Sequence, residues 1–136
     1  MGYKFENLEV WQLAVAYVDE MYALTEYLPQ SEKYNLSSQL RRAATSIALN
    51  IAEGSTSQSD AEQARFLGLS IRSLIETVAC QHLIHRRDYL QDASPLRDAY
   101  RSSRELFIKL QALRKYLRGE AETREPAVDY ETVTPF

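Results

Sequence analysis

The chain has 136 residues, 45% of them apolar and 26% charged, with a net charge of −3 and only four Gly and four Pro. That length suits one domain with a core of ordinary size, and so few turn residues argue against β-sandwiches and barrels. The single Cys80 excludes an internal disulfide and a cysteine-based zinc site.

The first helix is expected from about Leu8 to Leu28, with Asn7 as its N-cap. Val10, Leu13, Ala14, Tyr17, Met21, Leu24 and Leu28 fall on one stripe at three- and four-residue steps. Trp11 stands beside that stripe and is a candidate to fill a subunit groove. Pro29 ends the helix, because proline disfavours helical geometry in the residue before it.

The second helix is expected from about Leu36 to Glu53, with Leu40, Ala43, Ala44, Ile47 and Ile51 facing inward. Its small residues, among them Ala48, Ala52 and Ser46, let a neighbouring helix approach closely. Gly54 is expected at C′, where a left-handed conformation costs glycine little.

Ser59-Asp60-Ala61-Glu62 matches a capping box and opens a third helix that runs to about Arg87. Ala64, Leu67, Ile71, Leu74, Ile75 and Val78 form its main stripe, and Phe66, Leu69, Ser73 and Cys80 a weaker one beside it. Two stripes on one helix imply that more than one face is covered. Ser94-Pro95 starts the fourth helix, serine as N-cap and proline at the first helical position. Leu96, Ala99, Tyr100, Leu106, Phe107, Leu110, Leu113 and Leu117 build its core stripe, and Gly119 closes it.

Residues 120–136 show no periodicity and read as an acidic, flexible tail on a bundle domain of residues 1–119. Short loops between four long helices predict an all-α, up-down-up-down antiparallel four-helix bundle. The N-terminus has no basic stretch followed by an apolar run, and no apolar stretch is long enough to cross a bilayer. A cytoplasmic protein without a membrane partner is therefore expected.

Three strings carry a family likeness: Phe5-Glu6-Asn7-Leu8-Glu9-Val10-Trp11; Gln39-Leu40-Arg41-Arg42-Ala43-Ala44; and Ser46-Ile47 leading to Asn50-Ile51-Ala52-Glu53-Gly54. In this order they resemble the bacterial four-helix bundle family named after the 23S rRNA intervening sequence protein. The likeness covers roughly residues 3 to 118. It implies a ring-shaped homopentamer. It also implies kinship to the accessory variability determinant of diversity-generating retroelements, which binds nucleic acid and a reverse transcriptase. Two positions depart from the family pattern: Ala48 stands where proline is usual, and Arg72-Ser73-Leu74 replaces Gly-Ser-Leu.

Two groups of residues are candidates for function. Gln39, Arg41, Arg42, Asn50, Glu53, Gly54 and Glu76 are the family-motif set, and a structural role is expected for them. Asn50 would bond backbone, and Glu53 or Glu76 would pair with an arginine, since a glutamate near a helix C-terminus opposes the macrodipole.

Residues 86–119 carry nine Lys/Arg against four Asp/Glu, whereas residues 120–136 carry one against five. Arg86, Arg87, Arg97, Arg101, Arg104, Arg114 and Arg118 are thus candidate contacts to RNA or DNA, because guanidinium groups match phosphate geometry. Tyr89, Tyr100 and Tyr116 lie among them as candidates to stack on bases.

His82 and His85 have metal-ligand spacing, but a bundle metal site also needs Glu-x-x-His pairs from other helices, and none occurs. No phosphate-cradling glycine loop or nucleophile elbow is present. The expectation is a non-enzymatic binding or assembly module without cofactor or metal. Its partners would be copies of itself, with RNA, DNA or a nucleic-acid-processing protein as the alternative.

Overall fold

A computed structural model of the chain describes residues 2–120 and 133–136. Among these residues all regular structure is helical: α1 (Glu9–Thr25), α2 (Leu36–Gly54), α3 (Asp60–Arg86) and α4 (Ser94–Leu117). Short 3-10 turns at Lys4–Asn7 and Gln30–Glu32 precede α1 and α2. Each helix packs on the next in sequence, and α4 also packs on α1, so the four enclose a single core.

The helix starts and stops differ from expectation in four places, one of them the start of α4, where Ser94 is already helical and Ala93 holds the N-cap position. Asn7 does not cap α1; it closes the 3-10 turn, and Leu8 holds the N-cap position. That turn is fixed by Tyr3 N donating to Glu6 Oε1 at 2.8 Å, and the Phe5 ring meets Trp11 edge-on at 4.6 Å. Trp11 therefore packs on Phe5 and the core within its own chain.

α1 stops at Thr25, short of Leu28, where the Thr25 hydroxyl donates to the Tyr22 carbonyl at 2.6 Å. Gly54 is the last helical residue of α2, with no left-handed backbone. Among the described glycines a positive φ belongs to Gly119 alone, at 73°, just past α4. The start of α3 is as expected: Ser59 Oγ accepts from Glu62 N at 3.1 Å.

The inner face of α2 is as read from the sequence, with Leu40, Ala44, Ile47 and Ile51 buried. Ser70 Oγ on α3 donates to the Ile47 carbonyl at 2.9 Å, and Ser73 Oγ meets Ser46 Oγ at 2.9 Å. Small side chains on both helices make such contacts possible at short range.

The buried seam of α3 is Gln63, Leu67, Ser70, Leu74, Thr77, Gln81 and Ile84, a regular alternation of four- and three-residue steps. Four of these seven are polar, and three of the four hold hydrogen bonds. Tyr17 Oη lies 2.7 Å from Thr77 Oγ1 and accepts from Gln81 Nε2 at 2.8 Å. Burial pushes the Tyr17 hydroxyl pKa upward, so it stays a neutral member of this network. Ile75, expected in the core stripe, is instead 54% exposed. Leu74 takes the inward position, and its neighbour, about 100° further round the helix, is turned out.

α1 and α4 are joined by Lys109 Nζ donating to Glu9 Oε1. Ala48 is buried within α2, and Arg72 is exposed on α3, so the arginine at the family's glycine position has room within the chain. Of the expected flexible tail, 120–136, residues 121–132 lie outside the described residues. Phe136, at its far end, packs against the core.

Candidate functional site

The motif residues converge on the outer surface of α2. Because Leu40, Ala44, Ile47 and Ile51 turn inward, the intervening positions are carried to the two flanks of the helix. One flank, together with Tyr22 of α1, forms an open groove of about 640 Å³ lined by Arg41, Arg42, Leu49, Asn50 and Glu53. The other flank, together with Ser73 and Glu76 of α3, forms a groove of about 350 Å³ that includes Gln39 and Arg42. Arg42 and Ser46 belong to both. Six of the seven motif residues thus surround two adjoining grooves.

Gly54, the seventh, is used differently. A Cβ added there would lie 2.6 Å from Phe66 Cβ, so glycine at this position permits the close approach of α2 to α3. Asn50 does bond backbone as expected: its Nδ2 donates to the Ser46 carbonyl at 2.9 Å and to Ser46 Oγ at 3.1 Å.

The expected pairing of Glu53 or Glu76 with an arginine is not found. No ion pair among the described residues involves Arg41, Arg42, Glu53 or Glu76. Arg41 instead lies over the Tyr22 ring at 5.9 Å. Beside these charges Leu49 is 59% and Tyr22 46% exposed. The surface therefore combines an exposed apolar centre with charges that form no ion pair among the described residues, the anatomy of a contact surface.

The seven arginines proposed for nucleic acid do not form one free face. Arg97 lies 3.8 Å from Asp92, Arg101 3.7 Å from Asp98 and Arg118 3.3 Å from Glu120. Arg104 stacks on Phe107 at 5.4 Å. Arg114 lies against α3: its guanidinium is beside Gly68, and its buried Nε has no hydrogen-bond partner among the described residues. Arg86 and Arg87 stand apart, exposed at the end of α3.

Hydrogen bonds from Ser94 N and Oγ hold the Asp92 carboxyl below its ordinary pKa, so it stays charged beside Arg97. Exposed pairs of this kind are individually weak, but each offsets one positive charge that a phosphate would otherwise meet.

Among the described residues His82 and His85 gather no metal-ligand group; both rings instead stand 5.0 Å from the ring of Phe136. Sequence reasoning gave Phe136 no role, because one aromatic residue in an aperiodic stretch carries no pattern. Cys80 is buried, and burial pushes its thiol up to about 11, away from nucleophilic chemistry. No helix among the described residues is long and apolar enough to cross a membrane.

No curated protein matches the chain. The family model described as 23S rRNA-intervening sequence protein matches residues 6–119, which includes all four helices and both grooves of α2. The chain belongs to that family.

Proposed function

We propose that the chain is a non-enzymatic binding and assembly module that joins copies of itself through the outer surface of α2. The observation that carries this reading is the outward placement of Arg41, Arg42, Asn50 and Glu53 around exposed Leu49 and Tyr22, with three charges that no ion pair among the described residues neutralises. An interface places apolar groups at its centre and charged groups at its rim.

A homopentameric ring is the assembly we favour, with each bundle running up-down-up-down. The contacts Ser46 with Ser73 and Gly54 with Phe66 have numbers that rise on α2 as they fall on α3, which supports that course. A ring also requires two unlike surfaces per subunit, one docking on the other. The chain offers a second exposed apolar strip on α3, with Ile75 at 54% and Leu83 at 49%. We place its action in the cytoplasm, without cofactor.

RNA or DNA is the weaker partner in this reading, because Arg97, Arg101 and Arg118 already hold carboxylates. The test is Leu49→Glu, which puts a carboxylate at the centre of the surface. It should reduce the assembly to single subunits while leaving the helical content unchanged. An assembly of unchanged mass would remove α2 from the interface.

A further inference from the structure

The described residues 133–136 end in a built contact far from α2. The Phe136 ring stands 5.0 Å from His82, 5.0 Å from His85 and 6.0 Å from Tyr100, so it sits between α3 and α4. It also packs against the core cluster. Its carbonyl accepts from Arg97 Nη1 at 3.3 Å.

That guanidinium is held in place from behind, with Nη2 donating to Ser94 Oγ at 3.0 Å and lying 3.8 Å from Asp92. Ser94 is in turn fixed by Asp92 Oδ1, which accepts from both its N and its Oγ. The cleft thus combines an aromatic-lined seat for a ring with a pre-oriented donor for main chain. Those are the two elements by which a short peptide is recognised.

We propose that the cleft formed by His82, His85, Tyr100 and Arg97 is a docking site for an extended peptide in which proline precedes an aromatic residue. Its resident occupant is the chain's own Thr134-Pro135-Phe136. Proline before the aromatic favours an extended backbone, which lowers the entropy lost on docking.

The resident segment can reach its own cleft. From Leu117 back to Arg97, α4 is about 30 Å long at about 1.5 Å per residue. The residues between 120 and 133 span up to about 40 Å when extended. A tether of that length keeps the segment at high effective concentration, so a peptide in trans must compete with it. The site is therefore self-blocked, and a partner carrying the same chemistry gains access by displacing Phe136. This inference does not depend on assembly through α2.

The chain has two histidines, and both line the cleft, which gives a direct readout. Histidine-selective NMR of the full chain should show both ring signals shifted by Phe136→Ala. Adding the peptide Glu131–Phe136 to that variant should return both signals saturably toward their original positions. The unsubstituted chain should need at least about tenfold more peptide, because its own segment competes. Combining Arg97→Ala with Phe136→Ala should weaken the peptide further. Histidine signals unmoved by Phe136→Ala would overturn the proposal. So would equal rescue by a peptide with alanine in place of the phenylalanine.

Discussion

Gly54 and Phe66 cross so closely that a Cβ at position 54 would stand 2.6 Å from the Cβ of Phe66 and 3.3 Å from its ring. Both groups belong to helices, so relief requires α2 and α3 to separate. Alanine in a helix is ordinarily better than glycine by about 0.5–1 kcal/mol. Here overpacking should outweigh that gain. Gly54→Ala is predicted to destabilise the fold by about 1–3 kcal/mol, read from urea unfolding midpoints. A stabilised variant would mean that the two helices are free to shift.

Tyr17 and Gln81 lie in the middle of the bundle, both at most 2% exposed. Tyr17→Phe removes the acceptor of the Gln81 amide, which keeps only the Met21 sulfur at 3.7 Å, while the Thr77 hydroxyl keeps its bond to the Leu74 carbonyl. A loss of about 1–3 kcal/mol is predicted, the ordinary cost of an orphaned buried donor. Because Gln81 Oε1 has no hydrogen-bond partner among the described residues, the pair Tyr17→Phe with Gln81→Met should cost less than the sum of the two single changes. A double-mutant cycle measures this coupling.

Tyr89 Oη donates to Glu32 Oε2 at 2.5 Å, and Asn35 Nδ2 donates to Glu32 Oε1 at 3.0 Å. These bonds, the one from Tyr89 first, hold the Glu32 carboxyl below its ordinary value of 4.5. A lowered carboxyl stabilises the fold fully above pH 4.5 and loses that contribution as the pH falls through the lowered value. The same bond raises the Tyr89 hydroxyl above 10.0, so its contribution persists below that pH and is lost above. Tyr89→Phe should therefore be less stable than the parent at about pH 7, and the difference should shrink toward about pH 3. Urea midpoints at the two pH values decide it. An equal gap at both would show that the bond is not ionic in character.

The helices were legible because their apolar residues recur at helical spacing, and the α2 face was read correctly for that reason. The α3 face was read in part: Ala64, Leu67, Ile71 and Leu74 are buried as expected, but Gln63, Ser70, Thr77 and Gln81 also occupy buried positions, which hydrophobicity assigns to the surface. Each of the last three is accommodated by a hydrogen bond to another residue, which one-residue reasoning cannot supply. The same limit misplaced Ile75.

Gly54 was identified as special, but for its backbone freedom rather than for its missing Cβ, since the position of Phe66 was not visible. At the candidate site the motif residues were found, but their outward placement followed only from the packing. The basic residues near the chain's end were evident from composition. Their neutralisation by Asp92, Asp98 and Glu120 required the fold.

The central claim is that exposed Leu49 and Tyr22, with the charges around them, meet another copy of the chain. Native mass spectrometry of the full protein at micromolar concentration tests it most directly. The predicted result is a species of five subunits of 15.7 kDa each, collapsing to one subunit in Leu49→Glu. A lone 15.7 kDa species from the unsubstituted chain would contradict it.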